Sequence, residues 1–281
     1  MDETVLEAVA KINESTLKAI PLADVEEMDP RLLEIKPSRS RGEYCWTLTS
    51  FTYQAVFAKD PSASRVTYID ADLYFFGPAS NLLKEMDESG SDVLITEHAY
   101  APEYRQEERA GIYCVQFLPV RANASGLEII KWWQDRCIEW CYARFENGKF
   151  GDQKYLDDWP QRWSGRVSVL QNKALTLAPW NVNHLCQGEP TGIYHFHGLR
   201  IFNSSRIRLW SGYQISDSNH NRFYGPYVEQ LFNSYTTLAS IGLPWKAPKH
   251  KETLAESLKR IGRVIIKKNE QWKSGTEGAS I

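Results

Sequence analysis

Among 281 residues, 33 Lys and Arg stand against 35 Asp and Glu, a formal net charge of −2 with a pI near 6.3. That balance excludes nucleic-acid binding through bulk charge. A content of 42% hydrophobic and 24% charged residues excludes a disordered chain, and the length suits one large domain, or a domain with an appendage, around a real core.

Aromatics are the compositional outlier, with 10 Trp, 14 Tyr and 11 Phe. Flat rings stack on pyranose faces, and they equally fill a core. The opening Met-Asp-Glu-Thr-Val-Leu-Glu-Ala has neither a basic n-region nor an apolar h-region, so no signal peptide is expected. No run approaches about 18 apolar residues, the length that a membrane-spanning helix needs. Cys45, Cys114, Cys137, Cys141 and Cys186 lack any close C-x-x-C pairing and read as reduced, mostly buried thiols of a cytoplasmic protein.

In chain order, Val5, Leu6, Val9 and Ile12 have helical spacing over Glu3 to Ile12, and a short apolar piece follows at Leu17 to Leu22. Ser40 to Phe57 reads as one longer helix. The β-branched and aromatic stretch Arg65 to Phe76, RVTYIDADLYFF, reads as a buried strand running into a turn at Gly77-Pro78. Further strands are expected at Asp92 to Thr96, Ile112 to Val120, Val167 to Leu170 and Ile193 to Phe196. A long helix is expected over Gly126 to Arg144. Strands alternating with helices predict an α/β layered domain over residues 1–210, with a helical C-terminal extension over 211–281.

The strongest chemical feature is Asp70-Ala71-Asp72, the only D-x-D in the chain, at the end of an apolar strand. Open α/β sheets place their ligands at such strand ends. Residues i and i+2 of an extended chain point the same way, so two hard carboxylates would form a platform for Mn²⁺ or Mg²⁺ and, through it, a diphosphate. Two Asp residues capping the turn before Gly77-Pro78 are the structural alternative. A haloacid-dehalogenase-like D-x-D fits less well, because it usually sits on a first strand and before a small or β-branched residue, not Leu73.

His195-Phe196-His197-Gly198 is the second constellation. A neutral imidazole suits a third metal ligand, a nearby Gly admits phosphate oxygens to backbone N–H groups, and Arg200 can pair with phosphate. An H-x-H is also a common structural pattern on a strand. Third, Gly151-Asp152-Gln153 opens GDQKYLDDWP, where Asp152 is either a helix N-cap or a sugar-positioning carboxylate beside Gln153. Asp157 and Asp158 are expected to cap or solvate the helix end.

Taken in order, RVTYIDADLYFF, GIYCVQF with its Trp-bearing helix, GKFGDQKYLDDWP, APWN at Ala178 to Asn181, and HFHG resemble a GT-A glycosyltransferase, closest to the family 8-like retaining nucleotide-sugar transferases. The resemblance spans about residues 38 to 200. It implies a Rossmann-like mixed sheet flanked by helices. It implies Asp70, Asp72 and His195 as ligands of Mn²⁺ or Mg²⁺, with His197 a less suitable substitute. Asp70, Ala71, Asp72, Gly198 and Arg200 would contact the donor diphosphate. Asp152 and Gln153 would lie near the donor sugar and the acceptor. Ser40, Arg41, Glu43 and Tyr44 would open a donor-lining helix. Where the family usually carries Tyr-Asn, this chain has Tyr113-Cys114, a thiol in the place of a sugar-binding amide. The family also begins with a strand, a helix and a second strand for base and ribose. Asp2 corresponds to the residue after that second strand, so roughly 30 to 40 residues expected on the resemblance are missing from this sequence.

The implied activity is metal-dependent transfer of a hexose from a nucleotide-diphosphate sugar to an acceptor hydroxyl of a glycan or glycolipid, with retention, in cell-surface polysaccharide or glycolipid synthesis. The alternative is an impaired sugar-nucleotide-binding homologue lacking the base pocket. A nucleotidyltransferase would need a Gly-rich basic loop near the N-terminus, and none is seen. Lys246 to Lys268 is rich in Lys and Arg, with Leu254, Leu258, Ile261, Ile265 and Ile266 at helical spacing. It reads either as a helix with a solvated basic face or as a peripheral contact with an anionic membrane surface.

Overall fold

The computed structural model describes residues 3–203, 206–243 and 272–274. Two compact units divide the chain: Met1–Thr176 with Glu189–Ile193, and Leu177–Gly188 with Tyr194–Ile281. These limits differ from the division at 210/211 read from the sequence. The basic stretch 246–268 lies outside the described residues. Among those described, no helix is long and apolar enough to cross a membrane.

In the first unit the helices are α1 (Glu3–Ile12), α2 (Leu22–Glu26), α3 (Arg31–Ile35), α4 (Arg41–Thr49), α5 (Thr52–Lys59), α6 (Ser80–Ser89), α7 (Glu107–Ala110), α8 (Ala124–Glu139) and α9 (Trp159–Arg162). The strands are β1 (Arg65–Ile69), β2 (Leu73–Phe75), β3 (Val93–Glu97), β4 (Tyr113–Cys114), β5 (Phe117–Arg121) and β6 (Val167–Val169). The sheet runs in the order β1-β5-β3-β4, with β6 also paired to β3. It is mixed: β1/β5, β5/β3 and β3/β4 are antiparallel, whereas β3/β6 is parallel in the register Val93↔Val167 to Ile95↔Val169. β3 is buried along Val93 to Thr96, as its near-continuous apolar run requires of a strand covered on both faces. The α/β class, with a mixed sheet flanked by helices, is the one the sequence predicts.

The local readings need four corrections. The helix expected over Ser40 to Phe57 is two helices. Hydroxyls of Thr47, Thr49, Ser50 and Thr52 bond back to the carbonyls of Glu43, Cys45, Thr47 and Thr49, and such side-chain bonds compete with the regular ladder. The stretch Arg65 to Phe76 is β1 and β2, broken at Asp70–Asp72, where Leu73 N–H bonds Asp70 O at 3.3 Å. β1 is half-buried at the sheet edge and not enclosed. Ile112 to Val120 splits into β4 and β5. The long helix spans Ala124–Glu139, because Trp140 turns to extended backbone (φ −157°). Buried Arg39 crowns that end, its guanidinium donating to the carbonyls of Ile138 at 3.0 Å, Cys137 at 3.3 Å and Cys141. A cation there satisfies the orphan carbonyls and the helix dipole together.

The main core joins Val93, Ile95, Leu118, Val120, Ile129, Trp133, Leu156 and Trp159. Much of the aromatic excess is therefore structural: Trp133 and Trp159 pack edge to face at 5.6 Å, as do Trp159 and Trp163. Of the cysteines, Cys114, Cys137 and Cys141 are buried free thiols, Cys186 is half-buried and Cys45 is exposed.

Short strands β7 (Thr176–Leu177) and β8 (Ile193–His195) lie at the limits between the units. In the second unit follow α10 (Val182–Leu185), β9 (Arg200–Asn203), β10 (Arg206–Arg208), α11 (Asp217–Asn219), a π-helical turn His220–Tyr224, α12 (Gly225–Ser240) and β11 (Trp272–Ser274). β9, β10 and β11 form an antiparallel sheet. Buried Tyr194, Phe196, Phe223 and Tyr224 make its aromatic core, with Tyr194 stacked on Phe223 at 4.5 Å.

Candidate functional site

β1 ends where the chemistry begins. Asp70 and Asp72, both half-buried, occupy the turn that leaves its C-terminal end, and Asp70 N–H bonds Gln116 O at 3.0 Å. Their shared location therefore comes from a turn and not from strand alternation, which corrects the argument made from the extended chain. Tyr68, two residues back on the same strand face, donates its hydroxyl to Asp70 Oδ1 at 2.9 Å. Burial, then the Asp70 charge, pushes that phenol far above its ordinary value, so Tyr68 is a fixed donor.

Cys114 Sγ and a carboxylate oxygen of Asp70 lie within 4.8 Å of one another. Burial raises the thiol well above its usual range, and Asp70 adds to the shift. The residue named for its place on the motif thus abuts the D-x-D as a neutral thiol. A protonated thiol is a poor ligand for a hard cation, whereas the two carboxylates are good ones. The donor set at this turn fits Mn²⁺ or Mg²⁺.

Asp152 sits at the head of the 3₁₀ turn Gln153–Asp158, yet its side chain makes no capping hydrogen bond. The residue is 3% exposed, and Oδ2 has no hydrogen-bond partner among the described residues. Desolvation lifts its pKa to about 7; the Asp70 charge adds to the rise, while the backbone N–H groups of Asp152 and Gln153 and the Thr49 hydroxyl oppose it. The peptide is held from behind by Trp133, whose indole N–H donates to Asp152 O at 2.9 Å. An N-cap does not explain this residue, since a capping carboxylate would be bonded and ionised.

Gln153 turns elsewhere: its Nε2 donates to Ala110 O at 2.9 Å. Asp157 accepts the Ile112 N–H at 2.7 Å and the Lys154 ammonium at 2.7 Å, so it ties down the loop before β4 and does not cap its own turn. Asp158 pairs with Arg162.

The opening of α4 is held by its own hydrogen bonds. Ser40 and Glu43 form a capping box, with Ser40 N–H on Glu43 Oε2 at 2.8 Å and Glu43 N–H on Ser40 Oγ at 3.3 Å. Glu43 Oε1 accepts Ala143 N–H at 2.8 Å, which is the chief cause of a lowered pKa. Tyr44 donates to Glu26 at 2.8 Å and is buried, while Arg41 is exposed.

The second unit holds the remaining motif residues. His195, the last residue of β8, is buried and His197, just beyond the strand, is exposed, and Trp180 meets both edge-on, at 5.5 and 5.6 Å. Asn181 fixes that indole's turn by accepting Ala178 N–H at 2.8 Å, so APWN and HFHG form one assembly within this unit. Gly198 lies in the turn closed by Leu199 N–H on Phe196 O at 3.0 Å, and the Arg200 side chain is exposed.

Sequence reasoning passed over Tyr68, Thr49 and the loop clamps of Lys154 and Asp157. The signal for Tyr68 was its i−2 position on the Asp70 strand. Asn147-Gly148, both at positive φ (50° and 76°), also announced a tight turn, here closed by the Glu146↔Lys149 bridge.

No family model matches the chain. It is 29% identical over 248 residues to the uncharacterized protein YfnF of Bacillus subtilis (strain 168), covering 83% of this chain and 78% of that protein. It is 27% identical over 227 residues to YfnD of the same organism, also uncharacterized, covering 75% and 72%. Among solved structures it is similar to a glycosyltransferase involved in the glycosylation of the major capsid of PBCV-1, with a TM-score of 0.42 and 18% identity over 64% of this chain and 75% of that one.

Proposed function

We propose that this chain is a glycosyltransferase that moves a hexose from a nucleotide-diphosphate sugar to the hydroxyl of a glycan or glycolipid acceptor. The observation that carries the reading is the pairing, within one unit, of a D-x-D at the end of a sheet strand with the buried, unsatisfied carboxyl of Asp152. Such a carboxyl costs stability, and groups of this kind concentrate at functional sites.

Asp70, Asp72 and His195 would hold Mn²⁺ or Mg²⁺, with Ala71, Gly198 and Arg200 toward the diphosphate. The cation supplies electrostatic stabilisation of the leaving diphosphate when bound. Tyr68 holds Asp70 in orientation. Asp152 offers its carboxyl to the transferring sugar, and Gln153 positions the loop that ends at Ala110. Transfer with retention follows from the family resemblance, the acceptor hydroxyl attacking from the face the diphosphate leaves. Cytoplasmic location, with peripheral attachment to the inner face of a membrane through 246–268, belongs to the same reading.

Asp72→Ala, assayed with Mn²⁺ and a panel of nucleotide sugars, should lose transfer and donor hydrolysis on the order of a hundredfold or more. Turnover equal to the unaltered protein would overturn the assignment.

A further inference from the structure

Next to Asp152 the first unit carries an aromatic face. Trp46 and Phe150 are both half-buried, their ring centroids 6.2 Å apart at an interplanar angle of 46°. Trp46 reaches this face from α4 and, half-buried, also contacts the main core. Its six-membered ring lies over Gly151, where a Cβ would come to 3.4 Å from Cε3. Gly151 adopts φ +56°, a conformation costly for any other residue, and its N–H bonds Tyr142 O at 3.0 Å. The peptide that presents Asp152 is therefore roofed by an indole.

Arg109 completes the face. Its guanidinium carbon lies 5.3 Å from the Phe150 ring centroid, and no described carboxylate pairs with it. The short helix α7, which carries Arg109, is held by the same turn that begins after Asp152, through Gln153 to Ala110 O at 2.9 Å and Lys154 to Glu107 O at 2.8 Å. An exposed cation is thus kept over a ring by half-buried anchors on the turn that follows Asp152. Aromatic faces bind the C–H side of a pyranose by dispersion and exclusion of water, while a guanidinium donates to ring hydroxyls.

We propose that Trp46, Phe150 and Arg109 form the subsite for the acceptor sugar, a pyranose lying on the rings with its hydroxyls toward Arg109. The word acceptor rests on the transferase reading, whereas the sugar-binding face does not. Saturation-transfer NMR with methyl hexopyranosides and hexose disaccharides, in the presence of UDP and Mn²⁺, tests it. Ring C–H protons of at least one panel member should receive saturation from the unaltered protein. Phe150→Ala and Arg109→Ala should each weaken that binding about tenfold, and Trp46→Phe should preserve most of it. The absence of any bound pyranoside, or equal binding by Phe150→Ala and Arg109→Ala, overturns the proposal. Asp72→Ala separates the two readings: if it transfers normally while pyranoside binding still depends on Phe150 and Arg109, the transferase reading fails and the sugar face stands.

Discussion

The charge of Asp70 helps hold the carboxyl of Asp152 protonated up to pH about 7, although Asp152 is buried behind the turn and Asp70 belongs to the sheet edge. Desolvation is the larger cause, and neither side chain neutralises the other. The arrangement is destabilising at neutral pH unless a cation or ligand joins it.

A pH dependence of stability follows. The Asp152 carboxyl has a folded pKa near 7 against an ordinary 3.8, so between those values the folded chain holds a proton that the unfolded chain releases. Stability contributed by this group is therefore full below pH about 4 and falls as pH rises, with an upper bound of about 4 kcal/mol once pH exceeds 7. Urea unfolding between pH 5 and 8 should show this decline, and Asp152→Asn should flatten it. An unchanged slope in Asp152→Asn would show that other groups carry the dependence.

Asp70→Asn removes one of the two raising causes at Asp152. The decline, still starting near the ordinary value of 3.8, should end at a lower pH and be smaller while persisting, since burial remains. Under the transferase reading the same variant also loses Mn²⁺-dependent donor binding, read by calorimetric titration with UDP and Mn²⁺. Donor binding equal to that of the unaltered chain would remove Asp70 from the metal set.

Ser40→Ala and Glu43→Ala each break the capping box of α4, and each should cost about 1 kcal/mol, measured by chemical denaturation. Glu43 has its carboxyl committed to Ser40 and Ala143, so donor affinity should change far less than stability does. A large loss of donor affinity with unchanged stability would restore Glu43 to the donor site.

Gly192→Ala should be among the most damaging single-carbon additions. A Cβ at that position would lie 2.1 Å from the carbonyl oxygen of Leu175, backbone that no rotamer change can move. Overpacking of this kind costs about 3 kcal/mol or more. A thermal midpoint within a degree or two of the unaltered protein would mean the two segments separate more easily than their packing indicates.

Asp70 and Asp72 were legible as a pair, because a unique D-x-D after β-branched residues is a local pattern. Their geometry was not: alternation along a strand predicted a common direction, and the chain turns there instead. For Glu43, the capping box with Ser40 is a matter of local spacing, whereas the bond from Ala143 N–H that further commits its carboxyl comes only from packing. Asp152 was named from its place in GDQKYLDDWP, with an N-cap as the rival, but the burial that excludes the cap comes from the separate elements around it, including α4 and α8.

Composition and periodicity alone determined the α/β class, α1, β3, β6 and β8 to within a few residues, the free thiols and the order of the chemical motifs, since these depend on near neighbours along the chain. Tertiary structure alone decided that Asp152 is unsatisfied and held near neutrality, that Cys114 abuts Asp70, and that Trp46, Phe150 and Arg109 share a face. Desolvation and charge coupling act through space between segments up to about a hundred residues apart in sequence, where no local pattern reaches.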